Sequence, residues 1–348
     1  MKRLTRTVVA FSLIFAAVSV GSAASQQGDD ARSEHQRIVD FWTADKVRQA
    51  VPRDFVFDRA SGRFIPTAPG GVPGRPGGGG GGGGGDTTVT GAHWTNGGVV
   101  LESTGKVLFS LGTDYYVCSA SVVNDGGASG SLAVTAAHCA YENAAGSVKF
   151  AENWMYIPNY DQRDEQLSLF DTTLCKPEPG CWTATALVVH DGFASAGGFN
   201  GTAIQYDFAF AVLEGPEGSP DLDTYGEQGI AFDSISKGSS TYAFGYPHAA
   251  TFNGDLRYCA GGVNFDNRFF KLTYKLKCDM TGGASGGPWL FPFNDGSGTG
   301  TVMSVNSYRY SSGDAMYGPK FNASTEATYN AAKTASESCV VAESICTP

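Results

Sequence analysis

The chain has 348 residues with 34 acidic against 24 basic side chains, a net charge of −10, and no basic stripe interleaved with aromatics, which argues against a nucleic-acid partner. Such an acidic balance favours solubility and says little about any cleft. Eight cysteines agree with export, and without Cys-x-x-Cys or His-Glu-x-x-His spacing neither a structural zinc nor a metalloprotease site is expected.

Residues 1–24 read as a secretory signal. Lys2, Arg3 and Arg6 open it, 7–20 is apolar, and Ser22-Ala23-Ala24 offers small residues for cleavage. The apolar run is shorter than the ~20 residues a membrane span needs. A secreted protein with no membrane partner is expected.

Residues 25–86 read as a prosegment and linker. Ile38, Phe41, Trp42, Val47 and Val51 share one helical face, and Pro52 stops that helix. From Pro66 prolines alternate with glycines, ending in nine consecutive glycines at 77–85. That composition tethers and does not pack a core.

Residues 87–348 read as one all-β unit. Short β-rich runs alternate with Gly, Asn, Asp and Pro turns. Runs at 106–111, 115–123, 132–135, 148–154, 184–190 and 208–213 supply one antiparallel barrel. Runs at 241–246, 257–260, 274–278, 289–292 and 302–310 supply a second, and 324–338 is the one expected helix of this unit. Close spacing suggests disulfides Cys175–Cys181, Cys259–Cys278 and Cys339–Cys346.

The chemistry points to Cys278-Asp279-Met280-Thr281-Gly282-Gly283-Ala284-Ser285-Gly286-Gly287-Pro288-Trp289. Glycines around a serine let the backbone turn tightly and approach a substrate. They also free the N–H groups of Gly283 and Ser285 to face one point, as an oxyanion hole requires. A serine nucleophile needs a base, and the base needs a carboxylate. All five histidines, His35, His93, His138, His190 and His248, precede Ser285, which excludes the α/β-hydrolase order. His138 ends the apolar run Leu132-Ala133-Val134-Thr135-Ala136-Ala137 and is the best base; His190 reads as a strand-end residue and His248 as a loop residue. Asp207 heads the apolar run Phe208-Ala209-Phe210-Ala211-Val212-Leu213, where a buried carboxylate would need a partner.

The blocks Thr135-Ala136-Ala137-His138-Cys139, Tyr206-Asp207-Phe208-Ala209 and Gly283-Ala284-Ser285-Gly286-Gly287-Pro288 resemble those of the chymotrypsin/trypsin superfamily. The resemblance covers roughly 105–321 and is nearest to secreted bacterial and fungal trypsin-like peptidases, the group that includes glutamyl endopeptidases. It implies two six-stranded antiparallel β-barrels with a C-terminal helix. It implies a His138/Asp207/Ser285 triad that hydrolyses peptide bonds through an acyl-enzyme, without a cofactor. It also implies a Cys118–Cys139 bond. The expected partners are polypeptide substrates and the chain's own prosegment. The rival class is a secreted binding protein of this fold with weak or no activity.

Two departures shape further expectations. Ala284 stands where animal trypsins carry the aspartate that pairs with a new N-terminus, so that ion pair has no acid here. The prosegment is instead expected to cover the cleft or assist folding. Asp279, six residues before Ser285, matches the trypsin position that binds a basic side chain, but Thr281 replaces a cysteine. Ser304-Val305-Asn306-Ser307 lacks the histidine by which glutamyl endopeptidases hold an acidic one. Asp279, Thr281, Ser304 and Asn306 are the expected substrate pocket.

Overall fold

The computed structural model describes residues 33–67, 88–127, 130–162, 175, 179–252 and 254–341. The expected signal peptide, the glycine tract and Cys346 lie outside these residues.

Six strands close the first barrel. Asp114–Val123 pairs with Thr104–Leu111, then follow Glu152–Pro158, Trp182–His190, Ala209–Glu214 and Ser131–Thr135, which returns to Asp114–Val123. Every pairing in the ring is antiparallel. The first hairpin turns through Gly112, whose φ of +67° suits a two-residue hairpin loop. Thr104–Leu111 is buried along its whole length, and Trp154, Tyr156 and Trp182 fill the interior.

The second barrel consists of two sheets around Ala243, Tyr274, Trp289 and Leu276. Thr299–Val305, Pro288–Asn294, Ser240–Gly245, Arg257–Gly262 and Val89–His93 form one continuous run of neighbours. Thr273–Lys277, Ala315–Pro319 and Tyr308–Tyr310 form the other. The Cys259–Cys278 bond ties the two sheets together. The expected strand at 302–310 is two strands. Between them the backbone of Asn306 leaves the ladder to bracket the serine turn, donating to Gly287 O and accepting from Gly286 N.

The C-terminal helix is Ala323–Ala332, shorter than the expected 324–338. Asn322 and Thr325 cap each other's backbone at its start. Tyr329 packs against Phe210 of the first barrel. The chain then adds Cys339–Val341 as a parallel strand beside Trp182–His190.

The N-terminal segment lies on the barrels, and its expected single helix is two. Glu34–Phe41 ends because Trp42 turns inward and donates its indole N–H to Asn153 O at 2.7 Å. Thr43 then caps Ala44–Gln49. Val51–Pro52 pairs in parallel with Tyr116 and Val117. A hairpin, Phe55–Asp58 with Arg63–Pro66, follows, and its first strand pairs in parallel with Tyr308–Tyr310.

Candidate active site

His138 sits in the single helical turn Ala137–Cys139 directly after Ser131–Thr135. The Cys118–Cys139 bond holds that turn to the neighbouring strand. Asp207 comes just before Ala209–Glu214, which pairs with the strand leading to His138. Neighbouring strands thus bring two residues 69 positions apart into contact. Asp207 Oδ1 accepts the backbone N–H of His138 at 2.9 Å, and Oδ2 lies 2.8 Å from His138 Nδ1. Both side chains are fully buried. Ser307 Oγ donates to the same Oδ2 at 2.5 Å. Three donors therefore converge on one buried carboxylate, which would be costly to bury without them. They also fix the imidazole with Nδ1–H toward Asp207 and Nε2 free to act as a base.

Ser285 lies on a turn pinned from several sides. Ser119 N donates to Ser285 O at 2.7 Å, and Ser119 Oγ donates to Gly283 O at 2.8 Å. His248 N donates to Gly282 O at 2.7 Å. Gly283 has φ +97°, and a Cβ there would meet His248 N and Tyr246 O at 2.9 Å. At Gly286, φ +83°, a Cβ would run into Thr135 Oγ1 and Ser119 O. Only glycine fits either position. Among the described residues, no hydrogen bond engages the N–H of Gly283 or Ser285.

Three residues of the N-terminal segment occupy this site. Arg53 Nε donates to His138 O at 2.7 Å, and its guanidinium pairs with Glu142 at 2.9 Å. Asp54 Oδ1 accepts the Ser285 hydroxyl at 2.7 Å. Phe55 stands edge-on to the His138 ring, with centroids 5.5 Å apart. One tripeptide thus touches both His138 and Ser285. The serine proton points to Asp54, while His138 Nε2 is buried without a hydrogen-bond partner among the described residues. The peptide carbonyl of Asp54 faces elsewhere, accepting Thr67 N–H at 3.0 Å. Ser285 therefore meets a carboxylate and no attackable carbonyl of that residue.

The expected pocket residues separate into two pairs. Asp279 and Thr281 each keep a buried oxygen, Oδ1 and Oγ1, without a partner among the described residues. Burial pushes the Asp279 carboxyl up, and Gly91 packs against it. Ser304 and Asn306 are engaged elsewhere. Ser304 Oγ donates to Pro319 O at 2.6 Å, while Asn306 binds Trp289 Nε1, Phe244 O and Ala284 O. Asn306 thereby buttresses the serine turn from beneath.

Two groups resemble ligand sets for a metal. Cys118 and Cys139 beside His138 are joined in a disulfide and offer no thiolate. His93 lies 3.1 Å from Asp161 and 3.7 Å from Asp255, and Arg257 already neutralises Asp255 at 2.5 Å. In this second group the contact of His93 with Asp161 anchors the end of the strand Val89–His93.

Sequence reasoning passed over Ser307, Arg53, Asp54 and Phe55. Ser307 has no motif of its own. The alternation Phe55-Val56-Phe57 and Arg63-Phe64-Ile65 around Ser61-Gly62 was a readable hairpin signal.

No family model and no curated protein matches the chain. Solved structures do. The protease Anisep from Arthrobacter nicotinovorans is 36% identical, with a TM-score of 0.55, over 68% of this chain and 97% of that one. The thermostable serine protease AL20 from an extremophilic microorganism is 33% identical, with a TM-score of 0.55, over 67% of this chain and 98% of that one. With the closed barrel, the disulfide beside the histidine and a serine turn that tolerates only glycine, this likeness is one of family as well as fold. The chain belongs to the trypsin/chymotrypsin-like serine proteases.

Proposed function

We propose that the chain is a secreted serine endopeptidase, made with its own N-terminal segment lying in the cleft. The observation that carries this reading is the buried His138–Asp207 pair, bridged to Ser285 by a single tripeptide. The disulfides Cys118–Cys139, Cys175–Cys181 and Cys259–Cys278 fit an oxidising, exported environment.

With the cleft open, Ser285 Oγ bonds to the carbonyl carbon of a peptide, and its proton passes to His138 Nε2. The carbonyl electrons move to oxygen, which the N–H groups of Gly283 and Ser285 hold. Collapse breaks the C–N bond, His138 gives its proton to the leaving amine, and an ester remains on Ser285. Water then repeats the cycle and frees the acid. Asp207 stays ionised and stabilises the imidazolium. Before the cleft opens, Asp54 takes the Ser285 proton as acceptor and Phe55 covers the base. Residues 25–86 thus serve as an inhibitory prosegment.

The test is covalent labelling with a fluorophosphonate, before and after processing of the full chain, alongside release of peptides from a protein substrate. Labelling should rise on processing. Ser285→Ala should remove it and lower turnover by at least ~10⁴-fold. A folded Ser285→Ala protein that cleaves at near the parent rate would overturn the assignment.

A further inference from the structure

The strand Phe55–Asp58 lies along the cleft edge like an extended ligand and carries an imprint of what that edge accepts. Phe55 and Phe57 are two residues apart in extended chain, so their rings leave the strand on one face. Both are buried, while Val56 and Asp58 are less so. Phe55 stacks on Phe199 with centroids 4.0 Å apart and planes 1° from parallel. Phe57 stands edge-on to Phe269 at 5.3 Å and packs against Tyr310 at 5.3 Å. Phe64, from the hairpin's second strand, touches both Phe199 and Tyr308 at 5.1 Å.

The receiving side is fixed in place. Tyr308 Oη and Tyr310 Oη both donate to Asp266 Oδ2, at 2.7 and 2.6 Å, and Asp266 is itself buried. Burial and that carboxylate push both phenols up, so they remain donors at every working pH. Phe199 faces His138 at 5.6 Å, which places it beside the reacting atoms. When the N-terminal segment leaves, the row Phe199, Phe269, Tyr308 and Tyr310 is uncovered next to the base. Tyr308–Tyr310 then presents a free sheet edge, a surface that extended peptides pair with.

We propose that this row forms two subsites that select polypeptide substrates with aromatic side chains two residues apart. Phe199 takes the ring nearer His138, and Phe269 with Tyr310 takes the next. The proposal rests on the endopeptidase reading and names its substrate class. It concerns the part of the substrate lying along Tyr308–Tyr310, not the pocket at Asp279. Stacked and edge-on aromatic contacts add to plain burial, so each correctly placed ring should raise kcat/KM by about tenfold over alanine.

The full chain, processed to the active form, is profiled on a peptide library randomised around the cut bond, with fluorophosphonate labelling run in parallel. Phe and Tyr should be enriched at two positions spaced by two on one side of the cut. Phe199→Leu, which keeps bulk but not stacking, should flatten the enrichment nearer the cut and leave the farther one. Phe269→Leu should do the reverse, and Phe199→Tyr should restore the first preference. A labelled enzyme that cleaves with no aromatic enrichment at such a pair of positions overturns this proposal and leaves the endopeptidase reading standing. Enrichment that both leucine variants leave unchanged overturns it equally. A chain that neither labels nor cleaves overturns both.

Discussion

The two barrels end differently, and the difference separates stability from function. The first closes into a ring, and outside strands add only toward the ends of its members, Val51–Pro52 beside Tyr116 and Val117 and Cys339–Val341 beside Val188–His190. The second leaves Tyr308–Tyr310 to be paired by Phe55–Asp58, a strand from outside the barrel. A closed ring holds His138 and Asp207 in fixed register. An open edge is where another chain can add itself, and it lies beside Ser307, whose hydroxyl reaches Asp207. The rigid half of the site thus comes from the closed ring, and the accessible half from the barrel that leaves Tyr308–Tyr310 to an outside strand.

Loosening the closed half should give the largest effect on stability. Replacing Cys118 and Cys139 by alanine opens a loop with a sequence separation of 21. Loop-closure arguments put the loss at about 3 kcal/mol. The denaturant midpoint should fall and the slope should rise, because the uncrosslinked unfolded chain exposes more surface, and the histidine turn should gain amide exchange first.

Freeing the open half should come next. Asp54→Ala removes the acceptor on Ser285, a hydrogen bond to a charged group worth roughly 1.5–3 kcal/mol. The segment 25–86 added in trans should then inhibit the processed enzyme about 10–100-fold less well. Unprocessed chain should also label with fluorophosphonate faster. An unchanged inhibition constant would show that Ser285 is not what the segment grips.

Where the halves meet, Ser307→Ala removes one of three donors to Asp207. Asp207 then loses one of the contacts that hold it against His138, so kcat should fall by roughly tenfold with KM little changed. A change in KM alone would place Ser307 outside the relay.

The smallest effect should be at Asp279. Its folded-state carboxyl is raised by burial, so its neutral form is favoured. That contribution is fully present below the unfolded-state value and is lost as pH rises through the folded one. Asp279→Asn should therefore raise the melting temperature slightly at pH 7 and leave it unchanged in acid. An equal rise at both pH values would mean the charge is not the cause.

The blocks that bring His138, Asp207 and the Ser285 turn into the site were legible because the chemistry narrows the choice of residue. Gly283 and Gly286 stand where any Cβ collides, and His138 and Asp207 end or begin strands that must be apolar. The barrel strands were legible for the same reason, since burial repeats along them. Ser307 was not, because a lone hydroxyl in a strand-rich region has no pattern until its partner is known. The break at Trp42 was hidden because its cause, Asn153 O, lies 111 residues away. Asp54 was hidden most deeply. Nothing local marks it, and its meaning depends on a serine separated by 231 positions.

The linker after Thr67 has a consequence that no contact in the cleft reveals. On the proposed reading, a whole linker would present the segment to its own cleft at an effective concentration of about millimolar. A grip of only micromolar strength then keeps the cleft almost fully occupied. One cut among the glycines at 77–85 leaves the covalent chain of Arg53, Asp54 and Phe55, which make the cleft contacts, unbroken. It would make occupancy depend on the amount of protein in solution, and at nanomolar concentration most copies would let go. Dilution completes what the cut begins, so activity should appear where the protein is sparse and stay low where it is crowded.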